Sequence, residues 1–267
     1  MLSLESQQER RRAADRRGGG RRIEEFSAAL EQNQVEILFQ PQFACRGNRL
    51  VGAEALSHWK HPVLGRIGVE ALIDVAERSG RALELTQHIV SRSLAAALEW
   101  PGALALSLNV TATDLADERF VETIFGALAE TGFPAERLTL EITEQALVTR
   151  LDSCADRLEQ LTMRGIGIAL DDFGAGFCNF RYLKELPLNG LKLDRSMIEG
   201  IDHDPRDRSV LRGIVAMARS LDLKVTAEGI ERATQLDVIV CEGCEIWQGF
   251  LGAVPLTAEA FAALARG

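Results

Sequence analysis

Apolar and polar positions change rhythm along this chain. In "RIEEFSAALEQ" (22–32) the apolar residues recur every three or four positions, the spacing of an amphipathic helix. "VEILFQPQF" (35–43) and "LVGAEALSHW" (50–59) are short and apolar-rich, as strands are, with the turn-forming "CRGN" between them. Six further strand candidates follow: "LALSLNVT" (104–111), "LTLEIT" (138–143), "IGIALDDFG" (166–174), "GLKLDRSMI" (190–198), "KVTAEGI" (224–230) and "IWQGFLG" (246–252). Helical stretches separate most of these later strands, among them "FVETIFGALAETG", "LDSCADRLEQLTMRG" and "RSVLRGIVAMARSLD". The stripe Leu211, Ile214, Val215 and Ala218 in the last of these reads as core. Alternating strand and helix predicts an α/β fold with a parallel sheet under covering helices. Eight such units over about 240 residues fit a (β/α)8, TIM-like barrel. The hairpin-like first pair predicts that one of the eight strands is antiparallel.

Polar residues interrupt every one of these apolar runs or stand at its end. They are Gln40, Glu54, Asn109, Glu141, Asp171 with Asp172, Lys192 with Asp194, Glu228 and Gln248. In a barrel the carboxyl ends of the strands converge on one face, where active sites sit. Convergence would crowd many carboxylates around a single lysine, a self-repelling arrangement unless cations join it. Oxygen ligands with one amide suit Mg2+ or Mn2+ rather than zinc. On its own, "DDFGAGF" (171–177) reads equally well as a turn, since Asp and Gly are common turn residues. Within the set, the paired aspartates can hold two ions, which a shared carboxylate would place ~3.5–4 Å apart, the geometry of in-line attack on a phosphodiester.

Composition narrows the context. The 267 residues are 46% hydrophobic and 26% charged, ordinary for a soluble globular chain with a sizeable core. No apolar run is long enough to span a bilayer, and the polar N-terminus does not read as a signal peptide. Cytoplasmic localisation is the expectation, whether the chain stands alone or belongs to a larger, even membrane-tethered, protein. Five cysteines, an odd count, argue against a disulfide framework. "CEGC" (241–244) has zinc-like spacing but no second Cys or His pair, so its thiols read as incidental. The net charge of −9 is uneven: residues 1–22 hold seven Arg against three acids, so the body is more acidic than the total. That basic, Gly-rich segment is expected to be a flexible linker or arm, with residues 23–267 forming the barrel. An acidic body makes duplex nucleic acid a poor partner.

Seven spaced signatures, "AEALSHWKHPVLG", "LNVT", "EITE", "DDFGAGF", "LKLDRSMI", "AEGIE" and "GCEIWQGFL", stand in this order. Together they closely resemble the EAL-domain cyclic-di-GMP phosphodiesterases over about residues 24–257. The resemblance implies a barrel with one antiparallel strand, and hydrolysis of cyclic di-GMP to linear 5′-pGpG with two Mg2+ or Mn2+ ions. It implies that Glu54, Asn109, Glu141 and Asp171 hold the first ion. Asp171 would bridge to the second, beside Asp172 and Glu228. Glu54, Lys192 and Glu228 would be catalytic, with Lys192 orienting or activating the attacking water. Glu144 would tether the loop after "DDFG". Gln40, Leu56, His58, Asp194, Glu231 and Gln248 would line the substrate.

Simpler roles compete at three of these positions. Gln40, before Pro41, would satisfy backbone groups; Asp194 would pair locally with Arg195; Glu231 would be an acid at a helix start. Three departures from the family pattern stand out. His58 replaces an Arg that meets a substrate phosphate, Val254 replaces a basic residue before Pro255, and Ala175, Phe177, Cys178 and Asn179 replace a hydroxyl-rich loop. A homodimer through the loop after Asp172 and an upstream regulatory domain are expected by analogy. The competing functional class is a catalytically weak or inactive EAL domain that acts as a cyclic-di-GMP receptor or a protein-interaction module.

Overall fold

The computed structural model describes residues 23, 25–147, 151–176 and 180–267. The expected basic arm, 1–22, and the loop positions Phe177, Cys178 and Asn179 lie outside the described residues. Nine strands form one sheet: β1 (Val35–Ala44), β2 (Leu50–His61), β3 (Gly65–Ile67), β4 (Ala105–Val110), β5 (Leu138–Thr143), β6 (Gly167–Phe173), β7 (Gly190–Leu193), β8 (Lys224–Ala227) and β9 (Ile246–Gln248). Their order is β1-β9-β8-β7-β6-β5-β4-β2-β3, and a β1–β2 pairing closes the first eight into a barrel. β2 and β4 to β9 pair in parallel, while β1 runs antiparallel to β9. The expected barrel with one inverted strand is therefore what the chain forms. β3, which pairs antiparallel with the end of β2, is additional.

Alternation along each strand sorts its residues. Leu138, Leu140 and Ile142 of β5, Ile168 and Leu170 of β6, Leu191 and Leu193 of β7 and Val225 of β8 join the main apolar core. The intervening set points to the barrel interior and carries the polar groups, because successive side chains of a strand point to opposite faces. β7 shows the device in four residues: Leu191 and Leu193 are core, and Lys192 between them reaches inward. Strand ends are set by caps. Thr111 accepts from Asp114 N at 3.1 Å and its own N–H donates to Asp114 Oδ2 at 2.9 Å, ending β4 in the helix Ala112–Ala116. The segment 190–198, expected as one strand, divides. β7 stops at Leu193, and Asp194 caps the helix Arg195–Ile198, accepting from Ser196 N at 2.9 Å.

Contacts divide the described residues into two compact units, those up to Glu36 with Ser57–Ile89, and Ile37–Leu56 with Val90–Gly267. The second holds the barrel core. The first has its own apolar cluster around Phe26, Val35, Trp59, Leu72 and Val75. In it Phe26 meets Trp59 edge-to-face, and Trp59 donates its indole N–H to Gln34 Oε1 at 3.1 Å. His61, buried in the same unit, accepts from the Val63 and Leu64 backbone N–H groups at 3.1 and 3.2 Å through Nδ1, and its Nε2 meets Glu25 Oε2 at 2.8 Å. Among the described residues no helix is long and apolar enough to cross a membrane.

Candidate active site

The interior polar residues of the barrel meet around Lys192. Its ammonium lies 3.3 Å from Glu54 Oε2, 2.6 Å from Glu141 Oε2, 3.1 Å from Asp171 Oδ1 and 2.7 Å from Glu228 Oε1. Glu54, Glu141 and Asp171 come from β2, β5 and β6, and Glu228 follows β8 directly. Lys192, Glu54, Glu141 and Asp171 are all buried. Two amides complete the cluster: Asn109 Nδ2 donates to Glu54 Oε1 at 2.8 Å, and Gln248 Nε2 donates to Glu54 Oε2 at 2.7 Å and Glu228 Oε1 at 3.0 Å.

Burial and charge pull these groups apart in acidity. Burial opposes the charge on Lys192, but Glu141, Glu54, Glu228 and Asp171 win and hold it protonated well above the usual lysine range. Burial likewise opposes the charge on Glu54. The Lys192 charge and the hydrogen bonds from Gln248, Asn109 and Lys192 overcome it and lower the pKa. Glu141 is less well served: burial, with Glu54 and Asp171 adding repulsion, raises it well above the carboxylate range despite Lys192. Burial pushes Glu228 up to about 8. One lysine thus fails to neutralise four carboxylates.

That shortfall tests whether a metal fits. Ligand oxygens of Glu54, Glu141 and Asp171 all lie within 4.8 Å of one another. The all-oxygen donor set, with the Asn109 amide beside it, suits a hard divalent cation. At "DDFG" β6 is irregular, its register with β7 shifting between Leu170 and Phe173. There Asp172 takes a left-handed φ of 55°. A single left-handed residue re-aims the chain as bulges do. Asp171 therefore stays buried while Asp172 is exposed, and the two like charges leave the strand in different environments. Burial, then the charges of Asp171 and Asp194, raise the Asp172 pKa.

The remaining expected residues are more dispersed in their contacts. Gln40 Nε2 donates to the Ala253 carbonyl at 2.6 Å, which is the backbone-satisfying role. Leu56 is half-buried. Arg195 pairs not with Asp194, which is occupied as a cap, but with Glu231 at 3.1 Å. Glu231 does not begin a helix: Arg232 is the cap residue of Ala233–Glu242, and the Glu231 N–H donates to Gln235 Oε1 at 3.0 Å. Glu144 opens the short helix Glu144–Leu147 directly after β5. His58 belongs to the first unit, where its Nε2 meets Glu36 Oε2 at 3.2 Å and its Nδ1 is buried without a partner. Burial, then the Arg66 charge, lower its pKa, outweighing Glu36. Ala175 is exposed, and its N–H donates to the Asp172 carbonyl at 3.1 Å.

Two residues outside the expected set take part. Gln42 donates to Gln248 Oε1 at 3.1 Å, and Glu36 holds His58. The signal for Gln42 was present: it shares a strand face with Gln40, two positions away.

Comparison with known proteins agrees with this geometry. The family model described as "EAL domain" matches residues 23–255. "Cyclic di-GMP phosphodiesterase NbdA" of Pseudomonas aeruginosa is 36% identical over 87% of this chain and 30% of its own length. "Bifunctional diguanylate cyclase/cyclic di-GMP phosphodiesterase MucR" of the same organism is 34% identical over 86% of this chain and 34% of its own. The chain thus spans about a third of the length of these relatives. Among solved structures, "PaMucR Phosphodiesterase, c-di-GMP complex" superposes with a TM-score of 0.82 at 32% identity, covering 90% of this chain and 98% of that one. "Structure of EAL Enzyme Bd1971 - cAMP and cyclic-di-GMP bound form" has a TM-score of 0.87 at 25% identity, covering 94% and 70%. A match over most of the chain, with the acidic strand ends converging on one lysine, makes this chain a member of the EAL domain family.

Proposed function

We propose that this chain hydrolyses cyclic di-GMP to linear 5′-pGpG, using two divalent ions, Mg2+ or Mn2+. The observation that carries the reading is the Lys192 ammonium within 3.3 Å of four carboxylates, a cluster with more negative charge than its one cation neutralises. Glu54, Asn109, Glu141 and Asp171 would hold one ion, and Asp171, Asp172 and Glu228 the other. Bound there, the ions supply a nucleophile at neutral pH and neutralise charge on the phosphoryl oxygens.

The chain's own groups divide the remaining work. Asn109 and Gln248 fix the two oxygens of Glu54 separately, so its carboxylate cannot rotate freely. Lys192, kept protonated, acts as a donor: it orients the attacking water and stabilises charge on the phosphoryl group. The water oxygen bonds to phosphorus, the ribose O3′–phosphorus bond breaks, and the O3′ leaves with a proton that the water has released. Gln40, Leu56, His58, Asp194 and Glu231 line the substrate in this reading, and Glu144 tethers the loop after Asp172. The same reading sets the chain in the cytoplasm, downstream of a regulatory domain, with weak, concentration-dependent homodimerisation through that loop.

The test is to incubate the purified chain with cyclic di-GMP and Mg2+ and to separate the products by chromatography. Linear pGpG should accumulate, stop forming in EDTA, and resume with added Mg2+ or Mn2+. Tight binding of intact cyclic di-GMP with neither ion supporting turnover would replace the enzyme with a receptor.

A further inference from the structure

Gln42 lies on the inverted strand β1 directly opposite Gln248 on β9, and both side chains are buried. Directly opposite residues of an antiparallel pair have Cβ atoms about 4.5–5.5 Å apart, within easy reach for two glutamines. The Gln248 amide has one orientation that its neighbours accept. Ionised Glu54 only accepts hydrogen bonds, so the Gln248 NH2 must face it, at 2.7 Å, and the same NH2 reaches Glu228 Oε1 at 3.0 Å. That turns Gln248 Oε1 the other way, into the interior, where a buried acceptor without a donor is costly. Gln42 Nε2 is the donor it meets, at 3.1 Å.

We propose that Gln42 is a positioning residue: it locks the amide of Gln248 and so fixes the Glu54 and Glu228 carboxylates at the spread that receives divalent ions. The proposal rests on the metal-dependent reading above. Without a donor at position 42 the Gln248 amide is free to turn, presenting Oε1 to the Glu54 carboxylate, which repels it. Gln42 touches neither carboxylate nor substrate in this scheme; its effect passes through Gln248.

Calorimetric titration of Mn2+ into metal-stripped protein tests this without substrate. Four proteins are compared: wild type, Gln42→Met, Gln248→Met and the double variant. Loss of such an outer hydrogen bond typically costs 10–100-fold in metal affinity, and Gln42→Met is expected near tenfold. In the Gln248→Met background the same change should cost nothing further, because there is no amide left to orient. Gln42→Glu, close to glutamine in size, should weaken Mn2+ more than Gln42→Met, since its carboxylate draws the Gln248 NH2 away from the cluster. A role in packing alone predicts the reverse order. If Gln42→Met does not fold, Gln42→Asn, with its amide withdrawn by one methylene, must show the same loss and the same coupling. Wild-type affinity in the position-42 variant, or a loss that persists beside Gln248→Met, would overturn the positioning role and leave the metal site standing. A wild type that binds no Mn2+ would instead overturn the metal-dependent reading and this proposal with it.

Discussion

Removing the metal should give this protein a stability that falls as pH rises, opposite to the usual behaviour of paired carboxylates. Glu228 has its pKa raised by burial to about 8 in the folded chain, against 4.5 in the ordinary state. Between those values the folded state binds a proton that the unfolded state has released. Stability therefore declines with increasing pH across that window. One proton corresponds to about 1.4 kcal/mol per pH unit, or roughly 3 kcal/mol from pH 5.5 to 7.5. Glu141, also raised, steepens the slope, whereas Glu54, lowered, acts only on the acid side of its ordinary pKa and stabilises as it ionises. Divalent ions bind the deprotonated carboxylates, so saturating Mg2+ should flatten the slope; at a hundred times its Kd a ligand adds about 2.7 kcal/mol. The assay is urea unfolding followed by circular dichroism, in EDTA and in Mg2+, across this pH range. Stability in EDTA that is flat or rising with pH would refute the account of a cluster short of positive charge.

Three further outcomes are expected. Lys192→Met should cost the metal-free protein about 3–5 kcal/mol, because it strands buried carboxylates, with much of the loss recovered in Mg2+, while turnover of cyclic di-GMP falls ~10²–10⁴-fold; urea midpoints and steady-state kinetics read these separately. Gly249→Ala should lower the melting temperature and Mn2+ affinity together, since φ at Gly249 is 155° and a Cβ there would overlap the Ile230 backbone, displacing the neighbouring Gln248. His61→Ala removes a buried ring packed 4.9 Å from Trp59 and the acceptor of the Val63 and Leu64 N–H groups, and should destabilise the protein by about 1–3 kcal/mol, seen as faster amide exchange around Phe26 and Trp59.

The barrel was legible in the sequence because its strands obey a local rule. Eight runs alternate with helices, and the hairpin of β1 and β2 announces the inverted strand in "CRGN". β3 was not, since Gly65–Ile67 is too short to show any period and exists only against the end of β2. The cluster was legible for a different reason. A polar residue at the end of an apolar run has few explanations, and seven of the eight runs bring one to the Lys192 cluster once the barrel closes. Hydrogen-bond partners were beyond reach: Gln42 and Gln248 are 206 positions apart, and only the β1–β9 register brings them together. Asp194 and Glu231 illustrate the same limit. Neighbouring Arg195 suggested a local pair for Asp194, but a helix cap claims Asp194, and Arg195 reaches instead to Glu231.

The lysine at the centre of the cluster also bears on the protein's lifetime. A cation joined covalently to the chain cannot be lost when the cell runs short of divalent metal. On the two-ion reading, Lys192 would still hold the four carboxylates together after the ions left, in contrast to small domains that unfold without their metal. Since degradation follows the population of opened chains, metal shortage would silence such a protein without consigning it to proteases. Abundance and activity would then answer to separate controls, and a returning supply of Mg2+ would restore output faster than new synthesis could.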